Sequence, residues 1–465
     1  MSGTAARFGR AAFGRRGADP LPPAAMAAPA AAPPDPAPAA PLTGPAAAAA
    51  GLRAACLARL DPAAFADSTP ERLQADVERL VAEIADENRI QLNGREQRLL
   101  AIELVDDMVG LGPLEPLLDD ESITDIMVNG PDRVFVERGG KLVLSAARFR
   151  DTSHVNNVAQ RIASAVGRRV DESSPMVDAR LADGSRVNII FPPLALNGAC
   201  ISIRKFSRRR ITFDTLVAKG SVTAQMARIL KIGAAARLNV IISGGTGAGK
   251  TTLMNAMSQM IDPGERIITV EDAAELQLQQ PHVVRLETRP PNLEGRGEVT
   301  QRDLVRNALR MRPDRLIVGE VRGAEAFDML QAMNTGHDGS MSTIHANTTR
   351  DAVMRIENMV QMGQANLPLR AIRTQIVSAV DLILQLERMR DGSRRVTQVT
   401  EVIGLEGDVV VMNDIFQFEY DGENPDGSLR GHYKVSRARP GFAARLQYFN
   451  LDRAWAAALD EVPAP

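Results

Sequence analysis

The chain has 465 residues, of which 45% are hydrophobic and 24% are charged, and these are ordinary values for a globular protein. At about 150 residues per domain, this length allows two or three domains. The formal net charge of −2 argues against a dedicated nucleic-acid-binding protein. Two cysteines are too few for a disulfide framework or a four-thiolate metal site, so we expect a reducing compartment. No run of about 18 uncharged apolar residues occurs, which predicts that no segment spans a membrane.

The first 65 residues resemble a tail rather than a domain. Between Leu21 and Ala50, 15 of 30 residues are Ala and 9 are Pro. Proline blocks a continuing helix, and alanine buries too little surface to offset the entropy of ordering. We therefore predict disorder over residues 1–65. The basic first eighteen residues are compatible with a solvated start, a tip that contacts anionic lipid, or an organellar transit peptide.

Residues 66–118 form a predicted helical lead-in, because apolar residues recur at helical spacing from Leu73 to Val105. Gly110 and Gly112 then stop the helical pattern.

Residues 119–206 predict a small α+β domain. Its predicted elements are strands at Ile123–Gly130 and Arg133–Val136, a helix over 152–168, a hairpin at Val177–Phe191 around Asp183-Gly184, and a strand ending near Phe206.

We predict a hinge at residues 207–215, a second domain over residues 216–405 and a C-terminal extension over residues 406–465. In the second domain, the strand Asn239–Ser243 leads into G-G-T-G-A-G-K-T-T and then into a helical stretch. This is a G-x-x-x-x-G-K-T phosphate loop in the strand–loop–helix context that the motif requires. Its glycines allow backbone N–H groups to curl around phosphate oxygens at the positive end of the helix. The predicted nucleotide-binding residues are Gly244, Gly245, Thr246, Gly247, Ala248, Gly249, Lys250, Thr251 and Thr252.

Two residues of the loop have side-chain roles in this chemistry. Lys250 places a positive charge on the β and γ phosphates, and the Thr251 hydroxyl is a ligand for Mg²⁺.

Acidic residues follow two later strands of the same domain. R-L-I-V-G-E delivers Glu320 at a strand's carboxyl end, and I-I-T-V-E-D delivers Glu271 and Asp272 in the same way. Open parallel sheets bind ligands at that edge. Because glycine precedes Glu320 where a metal-binding aspartate is usual, Glu320 is better interpreted as the base that polarises water.

A third polar segment, T-G-H-D-G-S-M-S-T-I-H-A-N, holds His337 and His345 eight residues apart. This spacing suits a strand flanked by polar loops and is too long for a helical metal pair. The residues alone leave γ-phosphate sensing and simple loop packing equally open for these two histidines.

Together these motifs resemble the Walker A, Asp box, Walker B and His box of the type II/IV secretion ATPases. The resemblance extends over about residues 111–405 and implies a C-terminal RecA-like P-loop ATPase domain behind an N-terminal α+β domain, an α/β fold. The stretches Ala379–Val396 and Glu401–Asp408 look most similar to the CpaF/TadA branch, which drives assembly of tight-adherence (Flp) pili. The tetracysteine zinc motif of type II secretion ATPases is absent from the sequence.

The resemblance assigns roles to further residues. Arg186 and Arg204 match positions that reach the γ-phosphate in the family, although arginines beside a hairpin are surface charges by default. Arg180 is a weaker candidate. The family mechanism gives His337 and His345 a catalytic setting and lets Glu271 help to hold Mg²⁺ or its water.

The resemblance also implies a function. It predicts a homo-hexamer that hydrolyses ATP with Mg²⁺ and drives pilus assembly, or also retraction, through inner-membrane platform proteins. It places the protein in the cytoplasm, peripheral at the inner membrane, with no integral membrane segment and no stable nucleic-acid partner.

Three alternatives stay open. A VirB11-like type IV secretion ATPase that exports protein or DNA would share every active-site motif. A RecA-like nucleic-acid motor is disfavoured by the 4% aromatic content, because channels for single strands use stacking aromatics. A non-hydrolysing assembly scaffold would bind ATP without turnover.

Overall fold

The structure, a computed structural model, describes residues 51–53, 55, 56, 58, 59, 70–206, 211–291, 295–364 and 366–461. Most of the predicted tail and residues 207–210 of the predicted hinge lie outside these described residues. The chain divides into two compact units between Val105 and Asp106. In the described parts of the chain, no helix is long and apolar enough to cross a membrane.

The first unit is helical in its described residues. Helix α1 spans Pro70–Glu87, and helix α2 (Gly94–Met108) contains the division between the units. The apolar side of α1 is buried at residues three or four positions apart, which is the spacing of one helix face: Leu73, Val77, Val81 and Ile84.

The described residues between 51 and 59 are also helical, whereas the sequence predicted that the tail continues to residue 65. Leu52 and Cys56, one helical turn apart, are both buried. No proline lies between Pro45 and Pro62, and alanine has the highest helix propensity. Alanine-rich sequence without proline therefore forms helix here, so the tail prediction is wrong for these residues.

The second unit begins with a short 3₁₀ turn at Gly112–Leu114, helix α3 (Glu115–Asp119) and a six-stranded antiparallel sheet in the order β3-β2-β1-β6-β5-β4. One helix, α4 (Thr152–Ala165), buries its apolar face in the core of this sheet. The predicted strands, helix and hairpin agree with the structure, and β3 was missed. The strands are β1 (Ile123–Asn129), β2 (Val134–Arg138), β3 (Lys141–Leu144), β4 (Met176–Arg180), β5 (Arg186–Ile190) and β6 (Cys200–Arg204).

A nine-stranded sheet forms the rest of the second unit, in the order β15-β14-β13-β12-β7-β11-β10-β8-β9. The six neighbouring strands β12, β7, β11, β10, β8 and β9 are all parallel. Strands β13, β14 and β15 continue the sheet beyond β12 with antiparallel pairing. The order β8-β10-β11-β7-β12 is RecA-like, so the predicted fold class is confirmed. The strands are β7 (Val240–Gly244), β8 (Ile267–Glu271), β9 (Val283–Glu287), β10 (Arg315–Val318), β11 (Met341–Ile344), β12 (Leu382–Arg388), β13 (Arg394–Glu406), β14 (Val409–Glu423) and β15 (Leu429–Val435).

Two apolar cores cover the two faces of this sheet. Ile242 of β7 belongs to one core and Ile241 to the other, because successive strand side chains point to opposite faces. The helices are α5 (Phe213–Ala218), α6 (Ala224–Ala235), α7 (Lys250–Ser258), α8 (Gln301–Ala308), α9 (Glu325–Asn334), α10 (Thr349–Gly363), α11 (Leu369–Ala379), α12 (Ala443–Tyr448) and α13 (Asp452–Asp460).

The predicted boundary at residue 405 falls inside β13, so the C-terminal region is part of the ATPase-like domain rather than an appendage. Strands β14 and β15 extend the same sheet. Phe442 directly precedes α12, and Trp455 lies on α13. Both are buried in the same core as residues of α6 and α7. The sequence did not reveal this because helix α13 packs against α6, which lies more than two hundred residues earlier in the chain.

One buried amide fixes the strands that carry the site. The Asn239 side chain, 1% exposed, accepts hydrogen bonds from the backbone N–H groups of Gly339 (2.9 Å) and Ser340 (3.1 Å). It also donates to the carbonyls of Met333 and Ala379. All four groups are thus satisfied, and the starts of β7 and β11 are held side by side.

Candidate functional site

The phosphate loop connects β7 to α7, as the sequence predicted. All five residues of β7 are buried, so the strand delivers the loop at the carboxyl edge of the parallel sheet. Gly249 has a φ of 100° and stands directly before the first residue of α7. That left-handed conformation suits glycine and turns the chain into the helix, whose free N–H groups then face the loop.

Lys250 is drawn back into its own loop. Its ammonium donates to the carbonyls of Gly244 (2.9 Å) and Gly245 (3.0 Å), and the side chain is buried. Burial is the main cause that lowers the pKa of Lys250, and the charge of Arg204 acts in the same direction. An anion that enters the loop would therefore find the ammonium of Lys250 bound only to neutral carbonyls, with its charge not fully neutralised.

Glu320 lies at the carboxyl end of β10 with basic groups on both carboxylate oxygens. His345 Nε2 is 2.8 Å from Oε1, and Arg322 donates to Oε2 at 2.7 Å. Arg322 also reaches the carboxylate of Asp272 at 3.1 Å. His345 Nε2 lies 3.4 Å from the ammonium of Lys250, so the phosphate loop, Glu320 and His345 form one cluster.

Electrostatics in this cluster favour a neutral His345. Burial, followed by the charge of Lys250, lowers the pKa of His345. A neutral ring avoids placing a second positive charge beside the ammonium of Lys250, and its Nε2 lies next to the Oε1 of Glu320, which accepts no hydrogen bond from the described residues. The hydrogen bond to Glu320 raises the pKa of Arg322, which stays charged.

Glu271 is buried beside the cluster and shapes the backbone that follows β8. Its Oε1 accepts hydrogen bonds from the N–H groups of Glu275 (2.8 Å) and Leu276 (2.9 Å). Its Oε2 is buried and has no hydrogen-bond partner. Burial raises the pKa of Glu271 to about 6. A Cβ at Gly319 would lie 2.7 Å from Glu271 Cγ, which explains why glycine precedes Glu320.

Three arginines lie in one row across the six-stranded sheet. Arg180 is opposite Arg186 in the β4–β5 pairing, and Arg186 is opposite Arg204 in the β5–β6 pairing. Directly opposed residues share one face of a sheet, and like charges placed there repel. Acids that follow or end strands of the nine-stranded sheet balance two of these arginines: Arg186 pairs with Glu275 at 2.8 Å, and Arg180 pairs with Glu287.

The third arginine of the row, Arg204, has no ion-pair partner within the part of the chain that the structure describes. Arg186 and Arg204 line a cleft of about 150 Å³ whose opposite wall includes Thr251 and Thr252 of the phosphate loop. The structure thus groups Lys250, Glu320 and His345 in one cluster, and it places Arg186, Arg204 and Thr251 around one cleft, while Arg180 pairs with Glu287.

His337 does not join the site. Its Nδ1 lies 3.1 Å from the carbonyl of Ala332, where α9 ends. His337 precedes β11 and His345 follows it, so the strand separates them to opposite edges of the sheet. The catalytic assignment of His337 is therefore wrong, and loop packing describes it.

Sequence reasoning missed two arginines beside the phosphate loop. Arg394, at the start of β13, donates from Nε to the carbonyl of Gly247 at 2.8 Å. Arg388, at the end of β12, lies next to the same glycine, 3.8 Å from where a Cβ would stand. Both lie about 140 residues after the loop, and no local motif marks them.

A second cavity of about 230 Å³ adjoins the loop on the other side. Its walls are mixed, with polar residues such as Arg394 and Arg395 beside apolar ones, and they come from the segment before α6, from α7 and from the β12–β13 connection. They include Ile211, Leu216, Val222, Ala248, Leu253 and Leu386.

The chain was compared with known proteins. Residues 107–412 match the family described as type II/IV secretion system protein. A Mycobacterium tuberculosis protein, provisionally named for conjugal transfer, is 43% identical over 309 residues, which cover 65% of this chain and 87% of that protein. Conjugal transfer protein TrbB of Rhizobium radiobacter is 35% identical, covering 65% and 89%. Type IV secretion system protein PtlH of Bordetella pertussis is 36% identical, covering 61% and 91%.

Two solved structures are also similar. The VirB11 ATPase of the Brucella suis type IV secretion system has 30% identity and a TM-score of 0.34, covering 62% of this chain and 95% of that one. The pilus retraction motor PilT with bound ADP has 18% identity and a TM-score of 0.45, covering 75% and 89%. The family match extends over more than half of the chain, and every residue of the site lies within it. The chain therefore belongs to the type II/IV secretion system protein family.

Proposed function

We propose that this protein is an ATPase that hydrolyses ATP with Mg²⁺ and powers a secretion-type assembly at the inner membrane. The observation that supports it most directly is the cluster of Lys250, Glu320 and His345 at the carboxyl edge of the sheet. Phosphoryl transfer needs positioned cations and a group that orients water, and this cluster provides both.

Nucleotide binding begins at the phosphate loop. The N–H groups of the loop and of the first turn of α7 bind phosphate oxygens. Lys250 exchanges the carbonyls of Gly244 and Gly245 for the β and γ phosphates. The cavity beside Ala248 and Leu253 receives the base, because it adjoins the same loop and part of its wall is the apolar surface on which an aromatic ring packs.

The residues present fit Mg²⁺ that arrives with the nucleotide. In the described residues, no group of three His, Cys, Asp or Glu could hold a metal alone. Mg²⁺ in such sites keeps several waters and takes phosphate oxygens, so one or two protein oxygens are enough. Thr251 would hold it through its hydroxyl, and the unpartnered Oε2 of Glu271 is the oxygen available for its water. Bound there, Mg²⁺ neutralises charge on the phosphate oxygens.

Glu320 then acts as the base that orients the attacking water. Arg322 donates to its Oε2, whereas its buried Oε1 lies 2.8 Å from His345 Nε2 and accepts no hydrogen bond from any residue that the structure describes. A carboxylate that Arg322 holds at a fixed position, with Oε1 not engaged in a hydrogen bond, can accept a hydrogen bond from the attacking water.

Arg186 and Arg204 complete the charge balance from the other side of the cleft. They belong to the α+β sheet, while the phosphate loop belongs to the nucleotide domain. A γ-phosphate between them would relieve the repulsion in the arginine row. Hydrolysis and phosphate release would remove that link and allow the two sheets to rotate about the segment near residues 207–215, which is a hinge-type closure.

At the level of the cell, we propose a homo-hexamer that drives assembly of a tight-adherence pilus through inner-membrane platform proteins. The support is the resemblance of residues 379–408 to the CpaF/TadA branch. A type IV secretion ATPase is the second candidate, because the curated relatives are named for conjugal transfer and type IV secretion.

The first prediction tests hydrolysis. Glu320→Gln should lower kcat at least about 100-fold, the usual contribution of a positioned base, and should leave ATP binding within about twofold. Lys250→Ala should abolish ATP binding. Steady-state phosphate release and equilibrium binding of a fluorescent ATP analogue measure the two effects. Glu406→Gln, an exposed carboxylate at the end of β13, is the control, and wild-type turnover in Glu320→Gln would contradict the assignment.

The second prediction concerns the arginine row. Arg186→Ala should reduce kcat by roughly 100-fold, because a preorganised cation opposite the γ-phosphate is lost. The fold should persist, because Arg186 is only half-buried and its one ion pair, with the partly exposed Glu275, contributes little to stability. Arg138→Ala, on the same sheet but paired with Asp120, is the control. An unchanged phosphate-release rate in Arg186→Ala would return the residue to a surface-charge role.

The third prediction uses the buried carboxyl of Glu271. In the fold its pKa is about 6 instead of 4.5, so the folded state holds the proton more tightly. Ionisation therefore removes stability as the pH rises from about 4.5 through about 6. Relative to wild type, Glu271→Gln should gain about 2 kcal/mol in free energy of unfolding between pH 4 and pH 7. Urea unfolding at several pH values measures this.

The control for that experiment is Glu298→Gln, which changes an exposed carboxylate. A difference between Glu271→Gln and wild type that is constant with pH would show that burial does not perturb this group. The Mg²⁺ concentration at half-maximal hydrolysis, measured on the same variant, tests the proposed contact with the metal's water.

The fourth prediction separates pilus assembly from type IV secretion. Deleting the gene in its native host should abolish surface pili of the tight-adherence type, and plasmid-borne wild type, but not Glu320→Gln, should restore them. Electron microscopy of cells counts the pili, and conjugation frequency is scored in parallel. Normal piliation together with lost conjugation or export would select the type IV secretion alternative.

A further inference from the structure

The connection between β12 and β13 links the phosphate loop to the far edge of the sheet. Residues 389–396, which we name the arginine turn, contain Arg394, whose Nε donates to the Gly247 carbonyl at 2.8 Å. The Cδ of Arg394 is also 3.6 Å from the position of a Cβ on Gly249. The arginine turn therefore contacts the phosphate loop at two of its glycines.

The contact at Gly247 has a consequence for phosphate binding. The peptide between Gly247 and Ala248 is planar and trans, so its C=O and N–H point in opposite directions. A hydrogen bond from Arg394 to the Gly247 carbonyl thus fixes where the Ala248 N–H points. That N–H makes only a long bond of 3.4 Å to the Gly245 carbonyl, so it remains available to an entering phosphate.

The hairpin formed by β14 and β15 holds the arginine turn in place through two hydrogen bonds. The N–H of Leu429 donates to the carboxylate of Asp391 at 2.9 Å. The hydroxyl of Tyr433 donates to the carbonyl of Val396 at 2.6 Å. Leu429 and Tyr433 both lie on β15, and they contact the turn on either side of Arg394.

Arginine side chains of the turn add further contacts to the same hairpin. Arg390 bonds the hydroxyl of Tyr420 and lies over its ring, with 5.4 Å from guanidinium to ring centroid. Arg395 lies over the ring of Phe418 at 4.5 Å. The neighbours of Arg394 in sequence are therefore held by the hairpin, while Arg394 alone of these arginines points to the phosphate loop.

Most of this hairpin lies outside the segment that matches the family, which ends at residue 412. The match includes the phosphate loop and the arginine turn, but not Tyr433 or Leu429 of β15. The hairpin thus lies mostly beyond the matched segment and packs directly on the arginine turn, which contacts the phosphate loop.

We propose that Arg394 is a positioning residue for the phosphate loop and that the β14–β15 hairpin holds Arg394 in its place. Arg394 orients the Gly247–Ala248 peptide, and the hairpin thereby sets the affinity of the loop for the phosphates of the nucleotide. This inference rests on the proposed ATPase function for its kinetic tests, while one measurement below needs no nucleotide.

The kinetic experiment compares single and double variants of the full chain. Arg394→Ala should raise KM for ATP roughly fivefold, which is the scale of one charge-assisted hydrogen bond at an exposed site, with kcat within about twofold. Arg394→Lys should recover part of the affinity, because an ammonium can still donate to a carbonyl. Arg437→Ala, an exposed arginine paired with Asp460, is the control and should match wild type.

The contribution of the hairpin is tested by Tyr433→Phe, which removes one hydroxyl and retains the packing of the ring. It should raise KM about twofold alone and add nothing to Arg394→Ala, because both changes act on one contact. Additive effects would show that the hairpin does not act through Arg394. Inorganic triphosphate, which has no base, should inhibit Arg394→Ala more weakly by the same factor as ATP loses affinity. An unchanged inhibition constant would overturn the positioning role.

Amide hydrogen exchange of the nucleotide-free protein decides the inference even if the protein does not hydrolyse ATP. The peptide that contains residues 244–252 should exchange at least about threefold faster in Arg394→Ala and, less strongly, in Tyr433→Phe than in wild type. Equal exchange in all variants would overturn the inference. Loss of ATP turnover in wild type itself would refute the proposed function and leave this measurement to judge the inference.

Discussion

The carboxylate of Glu320 has a basic group on each of its oxygens, and the geometry of the site depends on these contacts. Arg322 holds one oxygen at 2.7 Å and His345 lies 2.8 Å from the other. The cluster exists because β10, β11 and β7 are parallel neighbours that end at the same edge. Residues that follow three separate strands are thereby brought within hydrogen-bonding distance, and Lys250 joins them through His345. A nucleotide would enter a site whose charges are already placed, which limits the reorganisation needed during reaction.

The α+β sheet supplies the complementary half of this electrostatic arrangement. Arg186 and Arg204 face each other across adjacent strands, an arrangement that costs free energy unless anions lie nearby. Glu275 provides one anion at 2.8 Å from Arg186. Arg204 has none in the described part of the chain, and its charge adds, after burial and the charge of Arg322, to the lowering of the pKa of Lys250. Arg204 of one sheet and Lys250 beside the other thus carry positive charges that the protein only partly neutralises, and a polyphosphate bound between them would neutralise both.

Sequence reasoning succeeded where the determinant is local and failed where it is distant. The phosphate loop and Glu320 were predictable because a strand, a glycine and a functional side chain follow one another directly. His337 and His345 could not be separated from residues alone, since only the direction of β11 shows which of them reaches the carboxyl edge. Arg186 was assigned through family resemblance. Arg394 was missed, because its contact to the loop joins residues 147 positions apart.

The backbone carbonyls of the phosphate loop explain how these distant contacts act together. Those of Gly244 and Gly245 are bound by Lys250, and that of Gly247 is bound by Arg394. Carbonyl oxygens repel phosphate, so a loop whose carbonyls are occupied by cations turns its N–H groups toward the anion. When phosphate arrives, Lys250 must leave its carbonyls, while the contact of Arg394 can persist. When Lys250 binds phosphate, the hydrogen bond from Arg394 therefore keeps the Gly247 carbonyl turned away from the anion. The β14–β15 hairpin holds Arg394 in the position from which it makes this bond.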